Sequence, residues 1–318
     1  MTLSTIQAVP KIGTAFYKKE AIFMYELMQA GENTFYINCP SKIGVYRTSS
    51  EEVWLIDSGN DKDAGRKIQK ILEQQGWKLK GIINTHSNAD HIGGNTLLQD
   101  RLSCPVYSTP MENAVIENPI LEPSFLYGGY PFQKLRNKFL MATPSKAQDI
   151  SQAQLPQGME IFPLGGHFWQ MIGVKTPDNV YFLADSVFSE TILDKYHISF
   201  NYDVTAYYKT LDFLETLEGS LYIPAHAEPL EDIRPLVEAN RKKSNEILEK
   251  LLSICQTPKY FESILHSIFE EYSLTMDYGQ YVLVGSTIRS YLSYLYDSGK
   301  VESFVENNYL LWKTVVPK

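Results

Sequence analysis

Hydrophobic and polar positions change rhythm twice along this chain. Between residues 34 and 56 the apolar residues fall in three short β-rich runs, 34–37, 43–47 and 53–56, and Asp57-Ser58-Gly59 ends the third sharply. Residues 64–75 switch to helical spacing, with Ile68, Ile71 and Leu72 on one face and Gly76 as a stop. A short buried strand is expected over 81–84, a helix over 95–101 and a further strand over 105–108. Residues 120–157 have no clean period; they carry four prolines and the pair Gly128-Gly129. A loop of that length is expected to be functional or disordered. Its aromatics, Phe125, Tyr127, Tyr130 and Phe132, argue against plain disorder. Strands resume at 159–163. Residues 168–176 and 180–184 predict a hairpin joined at Pro177-Asp178-Asn179. A helix over 207–217 and a strand over 221–223, ending at Pro224-Ala225-His226, complete the first part.

From about residue 233 helices take over. Residues 236–252 are amphipathic with Arg241, Lys242 and Lys243 on the polar side, and 260–269 and 282–296 predict two more helices. A small hairpin over 301–304 and 309–312 follows. Three helices and a terminal hairpin outline a winged helix. The expected division is a domain over 1–231 and a winged-helix-like domain over 232–318.

Composition narrows the function. A chain of 318 residues with 44% hydrophobic and 21% charged residues can bury a sizeable core. A net charge of −8 disfavours nucleic acid or an anionic membrane as partner. Residues 240–318 hold nine basic and nine acidic side chains, and the candidate recognition helix carries only Arg289 as a basic group. That is no phosphate-binding footprint. The C-terminal part is therefore expected to shape a site entrance or to mediate homodimerisation. No apolar run approaches the ~20 residues of a membrane span, and residues 1–10 show no signal-peptide pattern. Cys39, Cys104 and Cys255 are too few and too scattered for a disulfide framework or a Cys-rich zinc site; inert thiols in a reducing cytoplasm are expected.

Four of the six histidines fall beside expected strand ends. His86, Asp90 and His91 follow the 81–84 strand, His167 follows Gly165-Gly166, and His226 closes the 221–223 strand, while Asp185 follows 180–184. Loops gathered at one sheet edge build sites. Imidazole and carboxylate donors suit zinc, and also iron or manganese. Asp90 and His91 are adjacent, so they are expected to serve one ion from a turn. Two ions about 3.5–4 Å apart would share a water and lower its pKa toward ~7.

In these residues the chain resembles the metallo-β-lactamase superfamily over residues 15–230. The family motif is His-x-His-x-Asp-His, followed by a distant His, a bridging Asp and a last His; here His86, Asp90, His91, His167, Asp185 and His226 stand in that order. The resemblance implies an α/β fold, a four-layer αββα sandwich, with the site at one edge of two facing sheets and Asp57 supporting it from behind. It also implies one or two zinc ions and no organic cofactor. One position departs: Asn88 stands where the family has its second histidine. The first ion would keep His86 and His167, with the Asn88 amide oxygen a weak ligand or a supporting hydrogen bonder. The second would keep Asp90, His91, Asp185 and His226 and is expected to be the tighter. The implied activity is hydrolysis of a small ester, thioester or lactone by a metal-bound hydroxide, with Asp90 or Asp185 orienting the water and accepting its proton. The Gly93-Gly94-Asn95 helix start and the long aromatic loop resemble the hydroxyacylglutathione-hydrolase and β-lactamase-like protein 2 branch, whose members include chains with winged-helix-like C-terminal domains. Tyr127, Tyr130, Tyr202, Tyr207 and Tyr208 are candidates for the pocket wall; His197 and His266 are not expected to be ligands. A rival reading is an iron-binding redox protein of flavodiiron-like lineage, in which Glu replaces the same histidine; a Rossmann-like flavodoxin part is not evident in this sequence. A third is a degenerate member that binds without catalysis.

Overall fold

The computed structural model describes residues 25–315. Residues 1–10, where the sequence shows no signal-peptide pattern, lie outside the described residues. Strands β1 (Glu26–Gln29), β2 (Thr34–Asn38), β3 (Ile43–Arg47), β4 (Glu52–Ile56), β5 (Lys78–Ile83), β6 (Val106–Ser108) and β7 (Gln148–Asp149) form one sheet in sequence order. It is antiparallel from β1 to β4 and parallel from β4 to β7. The second sheet orders β11 (Leu221–His226), β10 (Val180–Phe188), β9 (Ile172–Lys175) and β8 (Glu160–Pro163), and only the β10–β11 pair is parallel.

Three apolar layers turn these sheets into a sandwich. Tyr36, Trp54, Ile56 and Ile83 of the first sheet pack against Val174, Val180, Phe182 and Ile223 of the second. The outer face of the first sheet buries Ile37, Val45, Leu55 and Ile82 under Ile68 and Leu72 of helix α1 (Lys62–Gln75) and Leu98 of α3 (Asn95–Leu102). The outer face of the second sheet lies under Leu211 and Leu214 of α7 (Val204–Leu214) and Leu236 and Val237 of α8 (Arg234–Ile254). The order is helix, sheet, sheet, helix, as expected. Each fully buried Ile or Leu contributes roughly 1.5–3 kcal/mol, which fixes the sheet faces against a one-residue slip.

Helix α8 also enters a separate core. Its Ile247, Leu248 and Leu251 pack with Ile264 and Ile268 of α9 (Phe261–Glu271) and Ile288, Tyr291 and Leu292 of α10 (Tyr278–Asp297). Strands β13 (Val301–Glu306) and β14 (Tyr309–Thr314) close this part, with β12 (Lys259–Tyr260) added to the edge. One continuous helix thus belongs to both cores, and no linker separates them. Among the described residues no helix is long and apolar enough to cross a membrane.

Several expectations need amendment. Helices α4 (Pro110–Glu117) and α6 (Glu190–Tyr196) are absent from the sequence reading. Both are short, and Thr109 and Ser189 precede them as N-cap residues. The 120–157 segment opens with a helix, α5 (Leu121–Tyr127), which Gly128 ends at φ 77°. Asp90 and His91 sit not in a plain turn but on a single helical turn, α2 (Ala89–Ile92).

Candidate metal centre

Parallel neighbours place their C-terminal ends on one edge, and both sheets contribute there. Asp57 directly follows β4, His86 lies three residues beyond β5, and His226 ends β11. Strand β10 does not stop before Asp185 as expected. It continues to Phe188, with register shifts on either side of Ala184, which takes φ 49°. The irregularity re-aims the side chain that follows, Asp185, as bulges beside sites do.

Asp57 is itself in the left-handed region at φ 66° and is buried. A non-glycine residue held there costs about 1–3 kcal/mol, and the hydrogen bonds of its carboxylate offset that cost. Oδ1 accepts from the Thr85 backbone N–H and Oδ2 from the Thr85 hydroxyl, both at 2.8 Å, and His91 Nδ1 lies 2.8 Å from Oδ2. The turn after Asp57 also crosses the motif at close quarters. A Cβ on Gly94 would meet the Ser58 carbonyl oxygen at 2.3 Å, and one on Gly93 the Asn60 carbonyl carbon at 2.3 Å.

Each imidazole of the centre is held from behind through the same ring nitrogen. His86 Nδ1 is 3.0 Å from the Thr85 oxygen, whose proton already goes to Asp57. His167 Nδ1 faces the Phe200 carbonyl at 2.9 Å, and His226 Nδ1 the Pro40 carbonyl at 3.1 Å. With Asp57 behind His91, all four Nδ1 atoms face acceptors and all four Nε2 atoms turn inward. His91 Nε2 lies 3.0 Å from Asp185 Oδ1, and His226 Nε2 lies 3.1 Å from Asp185 Oδ2 and 3.4 Å from Asp90 Oδ2. His167 Nε2 is 3.5 Å from Asp185 Oδ2. The Ser41 hydroxyl donates to Asp90 Oδ2 at 2.6 Å.

Does this set fit a metal? Among the described residues, His86 Nε2, His91 Nε2 and Asp185 Oδ1 are buried without a hydrogen bond, the close His91–Asp185 approach being misaligned for one. Orphaned buried polar atoms cost about 1–3 kcal/mol each. Donor atoms of His86, His91 and Asp185 lie within 4.8 Å of one another, and so do those of Asp90, His91 and His226. Imidazole nitrogens fixed from behind by a carboxylate or carbonyl are the usual preparation of a metal ligand. The residues fit one ion or two.

Without an ion the charges balance through protons. Burial pushes the His226 imidazole down, but Asp185 and Asp90 outweigh it and hold it at about 10. Burial likewise opposes a charged His91, yet Asp185, Asp90 and Asp57 raise it well above the usual histidine value. For Asp185, burial favours the neutral acid, but His226 and His91 hold it well below the ordinary carboxylate range. His86 is driven well down by burial and the neighbouring His91, and His167 is lowered mainly by burial.

A profile of the metallo-β-lactamase superfamily matches residues 37–226, more than half of the chain. The chain belongs to the metallo-β-lactamase superfamily. Among solved structures, a β-lactamase domain protein from Burkholderia ambifaria superposes with a TM-score of 0.68 at 14% identity, over 91% of this chain and 94% of that one. A metallo-β-lactamase family protein from Thermus thermophilus gives 0.67 at 17% identity, over 92% and 98%. The DIM-1 metallo-β-lactamase gives 0.51 at 18% identity, over 70% of this chain and 98% of its own. At these identities the likeness is one of fold.

In this superfamily member the six expected ligands converge, and the tyrosines do not. Tyr207 is buried, with its hydroxyl donating to Asn240, and is no pocket wall. Tyr208 bonds Asn245. Tyr130 is 72% exposed beside Arg136. Tyr127 and Tyr202 line a different cavity, of about 760 Å³, against α10. His197 stacks on Tyr272, away from the centre. A cleft that reaches the centre, about 780 Å³, is bounded by His167 and His226 and walled by Phe188, Ile192, Phe200 and Leu283. Asp90 also faces a smaller cavity of about 190 Å³ beside Phe139 of the long loop.

Two acidic side chains at the centre escape sequence reasoning. Glu112 of α4 accepts from the Ser87 backbone and hydroxyl and from Gln170 N–H, at 3.0, 2.6 and 2.7 Å. Glu122 of α5 accepts from Asn88 Nδ2 at 2.8 Å and is buried. Burial pushes both carboxyls up. An acid in the first turn of a short helix reads in sequence as a helix-start residue, so only the fold reveals them. The three cysteines are buried and free. Burial pushes Cys39 up to about 12 and Cys104 and Cys255 to about 11, so none is poised as a nucleophile.

Proposed function

We propose that this chain is a metal-dependent hydrolase acting on a small ester, thioester or lactone. The observation that carries the reading is the set of unpaired ligand atoms, His86 Nε2, His91 Nε2 and Asp185 Oδ1, buried between two sheets beside a cleft. One or two zinc ions, or iron or manganese, suit the donors. When bound, such an ion polarises a carbonyl and lowers the pKa of water toward ~7.

The chain's own groups supply the rest. His86, Asp90, His91, His167, Asp185 and His226 would hold the ions. The Asp90 side chain is 40% exposed and is fixed by the Ser41 hydroxyl, so it can orient a water and accept its proton. The cleft has the size of a small-molecule site, and its aromatic and aliphatic walls favour the apolar body of an acyl group over a polyanion. Helix α10 contributes Gln280, Leu283 and Val284 to that wall, so the C-terminal part shapes the entrance. Its winged-helix-like outline serves the pocket in this reading and needs no nucleic acid.

A screen of esters, thioesters, lactones, β-lactams and phosphodiesters, run on protein of measured metal content, tests the proposal. Metal-dependent turnover of an ester, thioester or lactone that Asp90→Ala abolishes supports it. Metal-loaded protein that turns over none of them, or iron-loaded protein that consumes oxygen, overturns it.

A further inference from the structure

The residue that departs from the family motif is held in a specific orientation. Asn88 is the N-cap residue of α2, and asparagine is among the best capping side chains, yet here it makes no capping bond. Its side chain turns inward instead. Nδ2 donates to Glu122 Oε1 at 2.8 Å, and Oδ1 lies 3.0 Å from His167 Nε2. His167 Nδ1 faces the Phe200 carbonyl, which can only accept, so the Nδ1 nitrogen carries the ring proton. The Nε2 lone pair therefore points at the Asn88 oxygen, another lone-pair atom. Two acceptors face each other at 3.0 Å with His86 Nε2 unpaired nearby, its ring 5.1 Å from that of His167. A cation among them would satisfy all three.

We propose that Glu122 is a positioning residue that locks the Asn88 amide with its oxygen toward the first metal position, and so makes that position a mixed nitrogen and oxygen site whose preference for Zn²⁺ over a harder ion such as Mn²⁺ is narrowed relative to an all-imidazole site. An amide can present either its oxygen or its NH₂, and only the oxygen can ligate. Glu122, buried behind Asn88 on α5, offers the acceptor that selects one of the two. Replacing imidazole by an amide oxygen shifts a site toward ions that prefer oxygen donors. The proposal rests on the metal-centre reading, but it concerns the first position only.

Equilibrium dialysis of the whole chain against Mn²⁺ and Zn²⁺ tests it, with His226→Ala as the control that loses the second position. Glu122→Leu, similar in bulk and without an acceptor, is expected to weaken Mn²⁺ binding at the first position by about 10- to 100-fold, the range typical of removing an outer hydrogen-bond partner. Glu122→Gln, whose amide oxygen still accepts, should stay within about threefold of the parent. Adding Glu122→Leu to Asn88→Ala should change nothing further, because the lock then has nothing to hold. Asn88→His should widen the preference for Zn²⁺ over Mn²⁺ by at least about tenfold. Unchanged first-position affinity in Glu122→Leu overturns the proposal. So does a full Glu122→Leu effect in the Asn88→Ala background, which would mean that Glu122 acts on the ion directly. If no variant binds any ion at either position, the metal-centre reading itself fails, which is a separate result.

Discussion

Replacing Asp57 by asparagine should cripple metal binding while leaving the fold nearly intact. Asparagine tolerates the left-handed backbone at φ 66° about as well as aspartate. Its single oxygen must take the Oδ1 place to keep the bond from the Thr85 backbone N–H. The NH₂ then stands where Oδ2 stood, facing the Thr85 hydroxyl and His91 Nδ1. It donates to both. His91 Nδ1 must now accept, which puts the ring proton on Nε2, the atom aimed at Asp185. The Thr85 hydroxyl, no longer donating to Asp57, can donate to His86 Nδ1 and shift that proton to Nε2 as well. One substitution reverses the tautomer of the neutral His86 and leaves His91, charged with both ring protons in the metal-free parent, with its proton on Nε2. To bind an ion the variant must give up two hydrogen bonds worth about 0.5–1.5 kcal/mol each. That loss, about 1–3 kcal/mol, is roughly a 5- to 150-fold loss of affinity at about 1.36 kcal/mol per decade. Competition with a chromophoric chelator measures it, and histidine ¹⁵N NMR of the metal-free protein reports which ring nitrogen is protonated. Affinity within about threefold of the parent, with the His86 ring proton still on Nδ1, would show that Asp57 does not set these protons.

Further outcomes follow from the same geometry. Asn88→His should raise first-position zinc occupancy, read by metal analysis at fixed free zinc; unchanged stoichiometry would show that this residue does not limit the site. Protons and metal compete at His226: its raised value of about 10 makes its contribution to metal-free stability complete below ~6.5 and lost as pH rises through 10, so metal affinity should climb over that window, with about one or two protons released per ion in calorimetry across buffers. Gly94→Ala forces a Cβ to within 2.3 Å of the Ser58 carbonyl oxygen and should cost roughly 1–3 kcal/mol in denaturant unfolding. Leu283→Trp should narrow the cleft and cut turnover of bulky acyl substrates while metal content stays unchanged.

The sandwich was legible because its strands and helices alternate in clean periods, and Ile68, Ile71 and Leu72 all fall on the buried face of α1. The convergence of His86, Asp90, His91, His167, Asp185 and His226 could be expected from their order and their places at strand ends. The pocket wall could not. Tyr207 looks in sequence like any aromatic with a polar tip, and only packing against Leu211 and Val237 puts it in the core. Glu112 and Glu122 lie on helices shorter than the period needed to see them, and 25 and 34 residues separate them from the partners they serve. Hydrogen bonds across such distances leave no local pattern. The bulge that aims Asp185 is equally invisible, because Ala184 carries no sign of a left-handed backbone.

The buried, unpaired atoms of His86, His91 and Asp185 hold metal in the reading proposed above. Elemental analysis of the protein, purified without chelators or added metal, tests it most directly. About one bound transition-metal ion per chain or more is expected, falling sharply in Asp185→Ala and His226→Ala variants that remain folded. Less than about 0.2 ion per chain, with none taken up on exposure to zinc, manganese or iron, would contradict it.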